Sequence, residues 1–333
     1  MISINETTVA AQPLGTGVAR QRMLTDERVT GTKILLDRLT LKAGATMPFD
    51  ISAKSLAWVQ LLEGEATLKA FYTDRMSNTN SVLLPPGFKS TLSTGNGATL
   101  LYAEIPDVAR LDPGFPANNP HFMVVDWTRE PVLESEHDLR KRISLVTPNI
   151  CATAALKIDI VIYPAGSMSP SFRHEGADTF IYVMSGRGTA WANEKLLPMQ
   201  PGDLIYFPDG EQHQLKSASN NEMKFFQFYV PDAFKTVWAD ENKISAWRST
   251  NRDIRGHETA LDERERIAYR YILAVRLPAD RSLARTTARS GRRHAHDLKV
   301  ALVFQSSFPK SFKEPDAISW VCVNRVVFDM RGG

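Results

Sequence analysis

Two histidines and one aspartate in the middle of the chain have the types and spacing of a metal site. His174 and Asp178 flank the short turn EGA, and His213 follows the turn residues Pro208 and Gly210 at the start of a strand. Extended residues an even number apart project to the same side, so we expect His174 and Asp178 to share a cavity that His213 faces. Two imidazoles and one carboxylate form the facial triad typical of non-haem Fe(II), which leaves three positions for water, substrate or dioxygen.

The three residues do not determine which metal binds, and the carboxylate ligand has an alternative. Mn, Ni, Co or Zn would fit the same three ligands, because the residues alone do not select among them. Glu175 is the alternative carboxylate, but its odd spacing from His174 turns it toward the other face of the strand. A histidine inside a β-barrel can also be a structural residue held by hydrogen bonds. The three side chains together, at this spacing, favour the metal.

Side chains near this triad are candidates for substrate binding. Phe180 and Tyr182 share the parity of Asp178, and Phe172 shares that of His174, so these aromatic rings would wall the cavity. Gln227 could offer a polar contact from a later strand. The alternative is that the aromatic residues belong to an ordinary hydrophobic core.

Short β-strands must position these residues. Runs rich in Val, Ile, Leu, Tyr and Phe, bounded by Gly, Pro, Asn or Asp, predict strands at 33–41, 55–64, 97–105, 156–164, 179–186 and 223–231. They recur too closely for crossover helices, so we expect an antiparallel barrel or sandwich. Helix-like patterns are confined to about 133–142 and 232–270, with ALDERERIAYRYILAV the clearest.

A weak internal repeat predicts two copies of one β-domain. Residues 35–106 follow the same order of strands and turns as residues 156–231. Alignment of the two segments places Ser52, Leu56 and Ser90 where His174, Asp178 and His213 stand in the second copy. We therefore expect the metal in the second copy only.

The second copy resembles the cupin superfamily. The first cupin motif reads G, five residues, H-x-H, three or four residues, E, six residues, G; Gly166, His174, Asp178 and Gly186 follow it, with Gly186 one residue late. The second motif reads G, five residues, P-x-G, two residues, H, and residues 202–213 match it at every position. Phe172 stands where the family has its first histidine and cannot bind a metal, so the resemblance implies one more open coordination position.

The resemblance implies an all-β fold of two cupin (jelly-roll) barrels with a few helices and a C-terminal extension. We expect an N-terminal arm at 1–32, a degenerate cupin domain at 33–110 and a packing segment at 111–150. A metal-binding cupin domain follows at 151–235, with a helical and basic extension at 236–333. Bicupins pair through exposed strand edges, so the resemblance also implies a homodimer.

Cupins include oxygenases, isomerases, decarboxylases, hydrolases and binders, so the fold does not settle the function. The resemblance and the ligand types favour an Fe(II)-dependent dioxygenase that acts on a small aromatic or amino-acid-like substrate. The layout, a degenerate first cupin before a metal-bearing second one, also resembles ureidoglycine aminohydrolase, which has glutamate where Phe172 stands and glutamine where His213 stands. A related hydrolase, an isomerase and a binding protein without turnover are the alternatives.

Composition excludes several other classes of protein. The 333 residues are 43% hydrophobic and 23% charged, enough to bury one large or two ordinary cores. Two cysteines, Cys151 and Cys322, form no disulfide framework, and no signal peptide or apolar run of about 18 residues is present. Residues 261–333 carry 14 Lys/Arg against 8 Asp/Glu, and their arginine-rich run at 281–293 has no interleaved aromatic residues. We therefore expect a cytoplasmic protein without membrane or specific nucleic-acid partners.

Overall fold

The structure, a computed structural model, describes residues 1–70, 73–118, 120–240 and 246–259. Within these ranges the chain is almost entirely β-structure in four antiparallel sheets, which pair into two jelly-roll barrels. The exceptions are the short helix α1 (Pro148–Cys151) and 3₁₀ turns at Glu6–Thr8, Val108–Arg110 and Trp127–Arg129. The all-β fold class predicted from the strand pattern is confirmed.

The first barrel consists of a seven-stranded sheet, in the order β12-β9-β6-β11-β4-β3-β2, and a four-stranded sheet, in the order β5-β10-β7-β8. Its strands are β2 (Gln12–Gly15), β3 (Val18–Leu24), β4 (Leu35–Leu41), β5 (Thr46–Asp50), β6 (Leu56–Gly64), β7 (Ala66–Lys69), β8 (Thr73–Met76), β9 (Asn80–Leu84), β10 (Lys89–Ser93), β11 (Ala98–Ile105) and β12 (Met123–Asp126).

The second barrel consists of an eight-stranded sheet, in the order β1-β20-β17-β22-β15-β14-β13-β24, and a five-stranded sheet, in the order β19-β18-β21-β16-β23. Its strands are β1 (Ile2–Asn5), β13 (Leu133–Ser135), β14 (Lys141–Val146), β15 (Lys157–Tyr163), β16 (Phe172–Glu175), β17 (Asp178–Ser185), β18 (Gly188–Ala192), β19 (Lys195–Met199), β20 (Asp203–Phe207), β21 (His213–Ser217), β22 (Met223–Val230), β23 (Lys235–Trp238) and β24 (Trp247–Ser249).

The central strands of the eight-stranded sheet are buried on both faces. Alternate residues of β15, β17 and β22 enter the core of the second barrel, among them Val161, Ile181 and Phe225. The residues between them pack against the first barrel, where Trp58 lies edge-on to Phe226 and Phe228 with ring centres 5.4 and 5.2 Å apart. Burial on both faces explains why these strands read as continuous apolar runs rather than as alternating patterns.

The N-terminal residues join both barrels. β1 pairs with β20 of the second barrel, whereas β3 pairs with β4 of the first. The segment predicted as an arm therefore extends one sheet of each barrel. The predicted domain boundaries, the homodimer and the cytoplasmic location stay predictions.

The helix predicted over 133–142 is wrong. These residues form β13, the start of β14 and the loop between them, with Leu133 paired to Arg142. Leu133 and Leu139 are the only apolar residues in LESEHDLRKR, and their spacing builds no helical stripe. The helix-like segment from 232 is also wrong at 232–240 and 246–259, where β23 and β24 lie. ALDERERIAYRYILAV and the basic tail lie outside the described residues.

In the described part of the chain, no helix is both long and apolar enough to cross a membrane.

Candidate ligand-binding site in the second barrel

A cavity of about 360 Å³ in the second barrel is bordered by residues of β14, β15, β16, β22, β23 and β24. Its wall combines three cations (Arg140, Arg142 and Lys157), five aromatic residues (Phe172, Tyr229, Phe234, Trp238 and Trp247) and three further side chains (Val161, Gln227 and Thr236). The volume lies at the lower end of the range for small-molecule sites. The geometry can therefore hold a compact organic molecule.

Arg140 is the most enclosed of the three cations, with 5% of its surface exposed. Its Nε and Nη2 donate to the two carboxylate oxygens of Asp138 at 2.8 and 2.7 Å. The guanidinium carbon lies 5.5–5.9 Å from the ring centres of four aromatic residues, Tyr163, Phe172, Trp238 and Trp247. Burial lowers the pKa of Arg140, but Tyr163 and Asp138 together raise it by more than burial lowers it. The net pKa of Arg140 therefore lies above the ordinary value. Arg140 is a permanent positive charge at the wall.

Arg142 and Lys157 add two cations whose partners are less tightly held. Arg142 Nη1 lies 3.8 Å from Asp159 Oδ2, and Lys157 Nζ lies 3.7 Å from Asp232 Oδ1. Both separations exceed a direct hydrogen bond. The two carboxylates are not part of the cavity wall, whereas both cations are. Each ion pair therefore presents its positive end to the cavity.

Two buried donors at the wall have no hydrogen-bond partner among the described residues. These donors are the indole Nε1 of Trp238 and the Nε of Arg142. Both groups can only donate hydrogen bonds, and a buried donor without an acceptor costs about 1–3 kcal/mol. An acceptor oxygen on a bound ligand would satisfy them. The charges suit an anion, and the free donors suit a hydrogen-bond acceptor.

The histidine pair lies behind Phe172, outside the cavity wall. The ring centre of Phe172 is 5.2 Å from that of His174 and 4.5 Å from that of His213, and the two imidazoles are 5.6 Å apart. Phe207 stacks on the other side of His213 at 4.2 Å. The structure thus brings both predicted histidines together inside the barrel, enclosed by aromatic rings.

His213 is neutral and has one fixed tautomer. Its Nδ1 lies 2.8 Å from the carbonyl oxygen of Glu211, an acceptor, so Nδ1 carries the proton and donates it. Burial lowers the pKa of His213 to about 4, against a smaller opposite effect of this hydrogen bond. Nε2 therefore carries a lone pair at neutral pH, and it has no hydrogen-bond partner within the described residues.

His174 is also neutral. Its Nδ1 lies 2.9 Å from the hydroxyl of Thr179, in a contact in which either atom could donate. Burial lowers the pKa of His174 well below 6.5, and His213, Lys157 and Arg140 lower it further through their charges. Both imidazoles are thus uncharged at physiological pH.

Asp178 does not join the histidines, which corrects the predicted triad. Its carboxylate accepts a hydrogen bond from the backbone N–H of Asp209 at 3.2 Å and lies 3.4 Å from Lys33 Nζ. It is also bonded to the hydroxyl of Tyr206, whose pKa burial and this carboxylate raise. The parity argument failed because His174 lies in the five-stranded sheet and Asp178 in the eight-stranded one. Alternation does not carry across a turn between sheets.

The same parity argument wrongly predicted that Phe180 and Tyr182 line the cavity. Both belong to the core between the two barrels, where Phe180 stacks on Phe228 at 4.3 Å and Tyr182 donates to Glu6 Oε2 at 2.5 Å. Phe172 and Gln227 do line the cavity, and their contact with a substrate stays a prediction.

The residue that sequence analysis missed is Thr179, which occupies the inward position beside His174. The spacing already contained the signal. With four residues after His174 the carboxylate position of the motif is 179, and Gly186 then follows after the expected six.

The comparisons with known proteins agree with this architecture. Residues 159–229 match the family model described as "Cupin domain". A solved mutant of Bacillus subtilis oxalate decarboxylase superposes with a TM-score of 0.58 at 13% identity, over 72% of this chain and 79% of that one. The second barrel is a cupin domain. Among curated cupin relatives, an "Oxalate-binding protein" of Thermotoga maritima is 31% identical over 67 residues, 20% of this chain and 55% of that protein.

A second curated relative, the (S)-ureidoglycine aminohydrolase of Escherichia coli, is 29% identical over 82 residues, 24% of this chain and 31% of that enzyme. The matched segments therefore span between about a third and just over half of these two relatives.

The residues of this cupin do not fit the metal that its motif implies. Phe172 and Thr179 occupy two of the four ligand positions, and the predicted carboxylate ligand, Asp178, bonds on the opposite face of its strand. Within the described residues, no group of three or more His, Cys, Asp or Glu side chains could hold a metal ion. Two neutral imidazoles remain, fewer than the three protein ligands of a facial triad.

Proposed function

We propose that the second barrel of this cupin binds a small organic anion with an aromatic body, for which a simple aromatic carboxylate is a model. The observation that carries the proposal is the orientation of the three ion pairs around the cavity. Arg140, Arg142 and Lys157 line it, while their carboxylate partners lie outside its wall. All three positive ends border the same cavity, where a bound carboxylate would also meet the free donors of Arg142 and Trp238.

The aromatic part of the ligand follows from the rest of the wall. Phe172, Tyr229, Phe234 and Trp238 present rings to a volume of about 360 Å³. A ligand as small as oxalate would meet the cations and leave most of these rings uncovered. A ring attached to the carboxylate would cover them and gain stacking contacts, which contribute about 0.5–1.5 kcal/mol each beyond area burial.

The names of two relatives support the anionic part only. One is an oxalate-binding protein and the other an oxalate decarboxylase, and oxalate is a small dicarboxylate. The shared feature would be recognition of a carboxylate, with the aromatic wall of this chain selecting a larger body.

The Fe(II) dioxygenase predicted from the sequence is not the function that the geometry favours. It requires three protein ligands around one metal, and the described residues offer two imidazoles behind Phe172. Iron, dioxygen chemistry and turnover stay predictions, and the metal measurement in the next subsection tests the first of them.

Calorimetric titration of the full chain with four probes tests the proposal. Phenylacetate and benzoate should bind at one site per chain in buffer containing EDTA, and more weakly as salt increases. Benzylamine keeps the ring but carries a positive charge, so it should not bind. Oxalate should bind more weakly than phenylacetate. Failure of every carboxylate to bind, or equal affinity for benzylamine, would refute the proposal.

A further inference from the structure

We infer that the second barrel holds no resident metal ion, because Phe172 and Thr179 occupy the space and the position that two further ligands would need. The histidine pair is then a closed, uncharged part of the barrel interior, and the ligand site lies beyond Phe172. This inference does not depend on the identity of the proposed ligand, because it concerns the nitrogen atoms of His174 and His213, which lie outside the cavity wall.

The first argument is the number of available donor atoms. His174 Nδ1 is engaged with the Thr179 hydroxyl, and His213 Nδ1 donates to the Glu211 carbonyl oxygen. One nitrogen of each ring, Nε2, is left. Two neutral nitrogens cannot neutralise a divalent cation, and a neutral threonine hydroxyl is a weak substitute for a carboxylate.

The second argument is the space around the pair. Phe172 packs against both imidazoles, and Phe207 stacks on His213. Tyr229 and Phe234 lie edge-on to His174 at 5.0 and 4.9 Å. A metal ion here would exchange its water ligands for aromatic carbon, and burying an unneutralised charge in such surroundings is strongly unfavourable.

The third argument is the electrostatic potential. Arg140 and Lys157 are close enough to His174 for their charges to act on it. Asp178, the carboxylate that the motif predicts as a ligand, bonds instead to Lys33, Tyr206 and the backbone of Asp209 on the opposite face. A cation between the histidines would therefore meet positive charge without a compensating carboxylate.

A gain-of-function experiment tests the inference. The double variant Phe172→His/Thr179→Glu supplies both absent ligands, and Phe172→His/Thr179→Gln is its matched control without the carboxylate. Metal content is measured after purification without chelator or affinity metal, and Co(II) is titrated while its visible absorption is recorded. Removal of a single outer-shell group costs about 10–100-fold in metal affinity, so two added ligands should tighten Co(II) binding more than 100-fold over wild type.

The expected result is substoichiometric metal in wild type, one tightly bound Co(II) in the Glu variant and weaker binding in the Gln control. One equivalent of metal in wild type that is lost in His174→Ala or His213→Ala would overturn the inference. So would a Glu variant with a native circular dichroism spectrum that binds Co(II) no better than wild type. Phenylacetate titration of the wild type reports separately on the proposed function, because the variants change Phe172 in the cavity wall.

Discussion

Lys157→Met is the most informative single change at the cavity. It removes one of the three positive charges that line the cavity, and it keeps about the same side-chain length. Lys157 is preferable to Arg142 for this purpose, because the partner of Arg142, Asp159, is fully buried, and removal of Arg142 would leave that carboxylate uncompensated. The partner of Lys157, Asp232, keeps 15% of its side chain exposed. Burial already raises the pKa of Asp232, so it can take up a proton when Lys157 is lost.

The size of the effect follows from the contacts of Lys157. A hydrogen bond between charged groups contributes about 1.5–3 kcal/mol, which corresponds to roughly 10- to 150-fold in Kd. Asp232 at 3.7 Å competes with any ligand for the ammonium group. We therefore expect the lower end, a loss of about 10-fold in affinity for phenylacetate.

Lys224→Met is the matched control. Lys224 also has a carboxylate near its Nζ, Glu222 at 3.6 Å, and an aromatic ring centre at 5.8 Å, but it does not line the cavity. Calorimetry at low and high salt should show the loss, and a flatter salt dependence, for Lys157→Met only. Equal effects of the two substitutions would refute the assignment of Lys157 to the ligand site.

Three further predictions concern other parts of the structure. Trp58→Ala should lower the free energy of unfolding by about 3–5 kcal/mol in urea titrations, because Trp58 is fully buried between the barrels. Trp247→Leu should weaken phenylacetate binding about 2- to 5-fold, since its ring lies 4.5 Å from the Arg142 guanidinium. Because burial lowers the pKa of His213 from 6.5 to about 4, the unfolded chain takes up a proton in this range before the folded chain does. The stabilisation by neutral His213 should therefore be complete above pH 6.5 and fall by about 3 kcal/mol as pH drops to 4.

The pH prediction requires a comparison with His213→Asn, because Asp37 acts with the opposite sign. Burial raises the pKa of Asp37 from 3.8 to about 6, so its contribution falls as pH rises through that range. The difference between wild type and variant isolates His213. A difference independent of pH would contradict the buried neutral imidazole. So would a titration near pH 6.5 of the His213 resonance, which is identified by its absence from His213→Asn. A loss below 1 kcal/mol for Trp58→Ala would contradict the packing between the barrels.

The second cupin motif is the part of the site that the sequence predicts best. Residues 202–213 place glycine and proline in a turn before His213, and Gly202 and Gly210 both have positive φ in the structure. Such a turn is encoded locally, by residues that need or tolerate that backbone conformation. For this reason the position of His213 at the start of β21 follows from the motif alone.

The first motif is harder to read because its turn joins two sheets. Gly176, at φ 98°, reverses the chain between β16 and β17, and the register of β17 is then set by pairing with β20 and β22. Sequence parity therefore predicted that Asp178 faces the interior of the second barrel and Thr179 the other side of the sheet. The structure shows the reverse. These long-range pairings leave no local pattern, and only the six-residue distance to Gly186 pointed to Thr179.

No sequence motif predicted the positively charged residues that line the cavity. Arg140 and Arg142 belong to the segment 133–142, which was predicted to be helical. Trp238 and Trp247 follow residue 235, the predicted end of the second barrel. They meet only because β14, β23 and β24 join the second barrel through pairings between distant residues. The chemistry of the cavity thus depends on tertiary contacts.

A crystal structure of the full chain with phenylacetate, grown in the presence of EDTA, is the most direct test of the central claim. The account predicts density in the second barrel, with the carboxylate at hydrogen-bonding distance from Lys157 or Arg142 and the ring against Phe172 or Trp238. Density elsewhere, or binding that appears only when a divalent metal sits between His174 and His213, would contradict it.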